Sequence, residues 1–177
     1  MISSSVGKSM ETPVPDEVLL GKAEIIERCL QRVNEEYSGH ENELETNFTR
    51  QDSILLNIQR MCEAAIDAAM HLVRIHALGI PKDSREAFVL LVNAGHLDAQ
   101  LGDHLQSMVG FRNIAVHQYT QIDMTIVRGI LTERLSDMRS FAAFLIQQAM
   151  AQRPSDGGLP ASAKMRKGLA DEKIPGW

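Results

Sequence analysis

Residues 49–78 read TRQDSILLNIQRMCEAAIDAAMHLVRIHAL, and this stretch decides the fold. Its apolar residues recur at spacings of three and four, which is the pattern of an α-helix rather than of a strand. They form two adjacent stripes: Ile54, Ile58, Met61, Ala65, Ala68, Leu72 and Ile75 in one, and Leu55, Cys62, Ile66, Ala69 and Val73 in the other. A helix that is apolar over so wide an arc packs on more than one side. We therefore predict that it is the central helix of a bundle.

The rest of the chain supplies further helices before and after this one. An apolar stripe predicts a first helix that begins at Asp16 and ends at Ser38. A short third helix is expected after Asp83, a fourth after Asp98, and a fifth over residues 123–150. Short connections favour antiparallel neighbours. The fold class predicted is thus all-α, an antiparallel bundle of four main helices plus one short helix.

Two local features refine the third and fourth helices. Asp83 and Glu86, three residues apart, resemble a capping box in which each side chain bonds the other residue's backbone N–H. Gly102 and Gly110 lie inside the fourth helix, where each costs about 1 kcal/mol relative to Ala. We interpret these glycines as positions where another backbone approaches closely.

The 177 residues suffice for one domain of ordinary size. Residues 1–15 are rich in Ser, Thr and Pro without periodicity, and we expect a flexible leader there. Residues 16–150 carry the helical pattern and form the domain. Residues 151–177 are rich in Gly, Ser, Pro and Lys, which predicts a disordered tail.

Composition excludes several classes of protein. The net charge of −5 excludes a globally basic nucleic-acid binder, so affinity for a polyanion would need a local patch. Two cysteines without a CxxC pair exclude a disulfide scaffold and a structural zinc site, and they suit a reducing cytoplasm. No apolar run reaches the roughly 18 residues of a membrane span, so we expect no membrane partner.

The unusual polar segment is residues 110–119, which read GFRNIAVHQY at the end of the fourth helix. Asn113 and His117 are four residues apart and share a helix face. Arg112 and His117 are five residues apart, which places them about 140° apart around an ideal helix. Either the helix unwinds near His117, or a second subunit completes the site.

These residue types suit phosphodiester chemistry. A guanidinium such as that of Arg112 binds phosphate with two hydrogen bonds and stays charged at any working pH. The imidazole of His117 can take or give a proton near neutrality. With RNA as substrate, a base could activate the 2′-hydroxyl while Arg112 stabilises charge developing on phosphorus, with no metal or cofactor required. The spacing alone is equally typical of a capping or salt-bridging pair.

A second polar set lies on the central helix, where Glu63, Asp67 and His71 are four residues apart and share one face. We expect Glu63 and Asp67 to support the site, by holding Arg112 in an ion pair or by shaping the cleft. The alternatives are a solvated or subunit-facing edge and, less in keeping with a single straight helix, a metal site.

The pattern Arg112-x4-His117-x-Tyr119 resembles the RX4HXY motif of the HepT toxins in the HEPN superfamily (higher eukaryotes and prokaryotes nucleotide-binding). The polar Asn113 after Arg112 also fits that superfamily. The resemblance extends over roughly residues 17–148, with further landmarks at residues 63–67, 84–88, 94–95 and 108–113.

The resemblance implies a specific function. Proteins of this family are helical bundles that form two-fold homodimers, and the Arg and His of both subunits line a shared cleft. They are metal-independent endoribonuclease toxins, and their partner is MntA, a nucleotidyltransferase antitoxin that transfers AMP onto the motif tyrosine. Arg112 and His117 would then be catalytic, Asn113 would support the site, and Tyr119 would be modified.

Two alternatives stand beside that function. The chain is acidic, and its Arg112 and His117 do not converge within one helix, so it also fits a non-catalytic helical dimer that binds a nucleotidyltransferase or a nucleotide. Without the family resemblance, Tyr119 would be interpreted as a half-buried packing residue.

Overall fold

The computed structural model describes residues 14–117 and 122–151. Within these ranges the helices are α1 Glu17–Tyr37, α2 Phe48–Ile75, α3 Ser84–Asn93, α4 Ala99–His117, α5 Met124–Gly129 and α6 Leu135–Ala151. A 3-10 turn over Glu41–Glu43 follows α1, and a π-helical turn over Ile130–Arg134 joins α5 to α6. No strand occurs in this part of the chain, so the all-α prediction is confirmed. None of these helices has both the length and the apolar composition that crossing a membrane requires.

The expected leader over residues 1–15 and the expected tail over residues 151–177 fall almost entirely outside the described residues. What the structure does show is that α1 begins at Glu17 and that α6 extends to Ala151, the last described residue.

Helix α1 packs antiparallel to α2, as their polar contacts show. Three ion pairs show the register: Asp16–His71 at 2.7 Å, Lys22–Asp67 at 2.6 Å and Glu36–Arg50 at 3.3 Å. The start of α1 thus lies beside the end of α2, and the end of α1 beside the start of α2.

Helix α2 is the centre of the bundle, as its two apolar stripes predict. It contacts α1, α3, α4 and α6. Every residue of both stripes is buried except Ile75, the last residue of the helix, which is 37% exposed. Each fully buried Leu or Ile stabilises the fold by about 1.5–3 kcal/mol relative to an exposed one. This burial along α2 is the main stabilising contribution of the core.

The caps of α3 and α4 are largely those that the sequence indicates. Asp83 Oδ1 accepts hydrogen bonds from the backbone N–H groups of Arg85 and Glu86 at 2.8 and 2.9 Å. The reciprocal half of the capping box was wrong, because the Glu86 carboxylate accepts from the backbone N–H of Lys82 instead of that of Asp83. Asp98 accepts from an N–H in the first turn of α4 at 3.0 Å.

The glycines of α4 make room for side chains, so the expected approach of another backbone was wrong. A Cβ at Gly102 would collide with Cγ2 of Val92, and a Cβ at Gly110 would lie 2.5 Å from Nη2 of Arg85. Both neighbours come from α3, so α3 packs against α4 through these two gaps.

The prediction of one regular helix over residues 123–150 was wrong, because the π-helical turn interrupts it. The Thr132 hydroxyl donates to the carbonyls of Arg128 and Gly129 at 3.0 and 3.3 Å. A hydroxyl on these carbonyls competes with the backbone N–H groups that would otherwise bond them. Gly129, a residue type about 1 kcal/mol less favourable in a helix than Ala, is the last residue of α5 and lies at the junction.

Candidate active site

The side chain of Arg112 is held in place from two directions. Its Nε donates to Glu63 Oε1 at 2.6 Å, across from α4 to α2, and its Nη1 donates to Asn113 Oδ1 at 3.0 Å. A guanidinium is planar and rigid, so two bonds to different nitrogens fix its orientation. The Arg112 side chain remains 25% exposed, so solvent still reaches it.

This arrangement leaves Arg112 able to bind an anion. No partner for Nη2 is found among the described residues, so N–H groups remain to bind a ligand oxygen. The hydrogen bond to Glu63 is the main reason that the pKa of Arg112 is raised above its ordinary value, with burial acting against it. The group therefore stays cationic throughout the working pH range.

The three acidic and imidazole groups on α2 do not act together. Glu63 contacts Arg112, whereas Asp67 pairs with Lys22 and His71 pairs with Asp16. The side chain of Glu63 is 41% exposed, so its pair with Arg112 is a surface pair rather than a buried one. In residues 14–117 and 122–151 there is no group of three such side chains that could hold a metal ion.

Beneath Arg112 lies Cys62, which is 1% exposed and whose Sγ donates to the carbonyl of Met108 at 3.7 Å. Burial raises the pKa of this thiol to about 12, although the charge of Arg112 acts in the opposite direction. The thiol is therefore protonated and inert, and Cys62 serves as a small core residue, as the sequence indicates.

Two of the sequence-predicted site residues cannot be placed by their side chains. The backbone of α4 is helical through His117, but the His117 side chain and all of Tyr119 lie outside the described residues. Because α4 does not unwind before His117, positions 112 and 117 point about 140° apart around one helix.

A groove that the sequence pattern does not reveal runs along α1 and α2 beside this site. Its volume is about 620 Å³. We call it the α1–α2 groove, and it is lined by Lys22, Ile25, Arg28, Cys29, Arg32, Ser53, Leu56, Asn57, Arg60, Glu63, Ala64 and Asp67. The only sequence signal for this groove is the recurrence of basic residues on both helices. That signal can be interpreted only when the register of α1 against α2 is known.

This chain is similar to known proteins over most of its length. A family model described as Ribonuclease HepT-like matches residues 26–145. The mRNA nuclease HepT of Shewanella oneidensis is 40% identical over 126 residues, which are 71% of this chain and 94% of that protein.

Two solved structures have the same fold. One is a tri-AMPylated Shewanella oneidensis HEPN toxin in complex with MNT antitoxin, which has a TM-score of 0.70 and 39% identity over 73% of this chain and 97% of that one. The other is a toxin–antitoxin with AMP-PNP, with a TM-score of 0.70 and 38% identity over 73% and 98% of the two chains. The helical bundle, the matched region and these identities together show that this chain belongs to the HepT-like ribonuclease family.

Proposed function

We propose that this chain is the toxin of a toxin–antitoxin pair and a metal-independent endoribonuclease that acts in the cytoplasm, where mRNA is found. The observation that carries the proposal is Arg112, oriented by Glu63 and Asn113 and with N–H groups that no described residue binds. Its support is the family membership and the nuclease activity in the name of the relative from Shewanella oneidensis.

The proposed chemistry uses the ribose 2′-hydroxyl as the nucleophile. His117 removes its proton, the 2′-oxygen attacks the adjacent phosphorus, and the bond from phosphorus to the 5′-oxygen breaks as a proton is returned to that oxygen. Arg112 stabilises the charge that develops on the phosphoryl oxygens, because its remaining N–H groups can each donate to one of them. The products are a 2′,3′-cyclic phosphate and a 5′-hydroxyl.

The proposal includes a homodimer in which two copies complete one cleft. Positions 112 and 117 lie on different faces of α4, so His117 of one copy and Arg112 of the other can meet at a two-fold axis. Ile114, which lies between these positions, is 44% exposed and would be covered in such a dimer.

The proposal also assigns regulation to Tyr119. A MntA-type nucleotidyltransferase antitoxin would transfer AMP to its hydroxyl, in keeping with the AMPylated state and antitoxin partner of the similar toxin structure. The adenylate would place negative charge two residues from His117, where it would repel RNA phosphates and compete for Arg112.

The test is RNA cleavage by the purified full-length chain in the presence of EDTA. We expect Arg112→Ala and His117→Ala each to lower the cleavage rate by about 10²–10³-fold, as loss of a transition-state contact does. Arg112→Lys is the matched control for charge, and we expect it to recover only part of the rate because an ammonium cannot donate from a planar fork.

Cleavage that persists in both alanine variants would reject the assignment. If the wild-type chain does not cut RNA but binds the nucleotidyltransferase equally well with and without these substitutions, the protein is the non-catalytic helical dimer instead.

A further inference from the structure

The α1–α2 groove carries positive charge that the described residues do not fully neutralise. Of its four cations, Lys22 pairs with Asp67, and Arg32 pairs with acidic residues one turn further along α1. Arg28 and Arg60 are exposed, and neither has a hydrogen-bonding or ion-pair partner in the described part of the chain. In a protein with a net charge of −5, two unpaired guanidinium groups in one groove form the local basic patch that binding a polyanion requires.

Arg28 and Arg60 line the groove at the same level although they come from different helices. Cys29 also lines the groove. Burial raises the pKa of its thiol, and the charges of Arg60 and Arg28 both act to lower it. The antiparallel register agrees, since Lys22–Asp67 and Glu36–Arg50 bracket the level at which residues 28 and 60 meet.

The groove leads to the candidate active site. Glu63 lines it, about one turn before its end at Asp67, and is also the residue that binds Arg112. Arg60 lies about one helical turn before Glu63 on α2, roughly 5 Å along the axis. A strand bound at Arg28 and Arg60 would therefore continue toward Arg112 within a few nucleotides.

The lining also indicates how such a ligand is recognised. None of the groove residues is aromatic, so there is no platform on which a base can stack. The groove instead offers guanidinium groups, which bind phosphate oxygens with paired hydrogen bonds.

We propose that the α1–α2 groove binds the backbone of single-stranded RNA next to the cleavage site, with Arg28 and Arg60 each contacting a phosphate. This inference rests on the proposed ribonuclease function and adds a substrate-binding surface to it. Recognition through phosphates makes the contact strongly dependent on salt and tolerant of base sequence.

The experiment measures the affinity of the full-length chain for a fluorescent single-stranded 2′-O-methyl oligoribonucleotide, which cannot be cleaved because its nucleophile is blocked. We expect Arg28→Gln/Arg60→Gln to weaken binding about tenfold at low salt. We also expect the slope of log Kd against log salt concentration to fall by about 1.4, since each phosphate contact on a single strand contributes about 0.7.

Two control variants make this result specific. Lys82→Gln/Arg139→Gln removes the same charge from other exposed positions and should leave the affinity within twofold. Arg28→Lys/Arg60→Lys keeps the charge in the groove and should restore most of the salt dependence. Thermal melting of each variant checks that the fold is retained.

An unchanged Kd and salt slope in Arg28→Gln/Arg60→Gln would overturn the proposal. The proposal would also be overturned if Arg28→Gln/Arg60→Gln left oligonucleotide binding unchanged but weakened the complex with the nucleotidyltransferase, because the groove would then be a protein-docking surface. Cleavage of ordinary RNA by the same preparations separates the two proposals. If the wild-type chain cleaves RNA but the groove substitutions do not change binding, only the proposal about the groove is rejected. If the groove substitutions weaken binding but the wild-type chain does not cleave RNA, only the nuclease proposal is rejected.

Discussion

At the scale of single residues, the candidate site depends on how one guanidinium is oriented. Arg112 is 25% exposed and Glu63 is 41% exposed, and an ion pair at such a surface contributes about 0–1 kcal/mol to folding. The pair is therefore of little value for stability. Its consequence is geometric, because the bond to Nε directs the remaining N–H groups of Arg112 outward.

The substitution Glu63→Gln separates the effect of orienting Arg112 from any effect on the stability of the fold. The amide keeps the size of the side chain but loses the charge that holds Nε, so Arg112 gains alternative orientations. We expect cleavage to slow by about tenfold, since misplacing a catalytic group by a fraction of an ångström is costly. We expect the melting temperature to change by no more than a degree or two. Single-turnover cleavage and thermal melting measure the two effects.

Asp67→Asn is the control for Glu63→Gln, one turn further along the same helix. Asp67 pairs with Lys22 rather than with Arg112, so its loss should leave the orientation of Arg112 unchanged. Equal losses of activity in the two variants would show that the carboxylates act through general charge and not through the bond to Nε.

These residues also show the limits of the sequence pattern. The face shared by Glu63, Asp67 and His71 was predictable, because it follows from helical periodicity. Their partners were not, because Asp67 and His71 bind residues of α1 that are 45 and 55 positions away. Which α1 residue faces which α2 residue is set by packing of the apolar stripes, and nothing local encodes it.

At the scale of helices, the residues at which helices begin were more predictable from the sequence than the irregularities and contacts within them. Caps are local interactions, so Asp16, Asp83 and Asp98 mark the starts of α1, α3 and α4 in the sequence itself. The π-helical turn and the contacts of Gly102 and Gly110 depend on neighbours, so periodicity could not reveal them.

The two glycines of α4 predict opposite effects of the same substitution. Gly110→Ala meets the flexible end of Arg85, which can move into solvent, so the gain in helix propensity should stabilise the protein by about 0.5–1 kcal/mol. Gly102→Ala meets the β-branched Val92, which is stiff, and should destabilise it by about 1–3 kcal/mol. Chemical denaturation of both variants measures the difference, and effects of the same sign would contradict the contacts described.

At the scale of the whole molecule, Asp16 joins three helices. Its Oδ1 caps α1 by accepting from the N–H groups of Val18 and Leu19 at 3.0 and 3.1 Å. Its Oδ2 accepts from His71 of α2 at 2.7 Å, and its own N–H donates to the carbonyl of Ala149 in α6 at 3.0 Å.

These contacts make stability depend on pH. Burial raises the pKa of Asp16, but the hydrogen bonds from His71 and from the backbone of Leu19 and Val18, with the charge of His71, together lower it below its ordinary value. A lowered folded-state pKa contributes stability above about pH 4, which is lost as the pH falls through the folded-state value.

Asp16→Asn tests this dependence. Asn retains the helix cap but has no charge, so we expect a loss of about 1 kcal/mol at pH 7 that shrinks toward pH 3. Asp16→Ala also loses the cap and should cost about 1 kcal/mol more at both pH values. Urea denaturation between pH 7 and pH 3 measures both, and a pH-independent difference between wild type and Asp16→Asn would refute the assignment.

The bond from Asp16 N–H to the carbonyl of Ala149 has a further consequence for how the domain opens. Helix ends ordinarily fray first, because their terminal groups have few partners. Here Asp16 at the start of α1 is hydrogen-bonded to Ala149 of α6, and His71 of α2 is hydrogen-bonded to Asp16. Fraying at either extremity must break a contact shared by three helices, so the two ends should exchange their amide hydrogens together rather than one at a time.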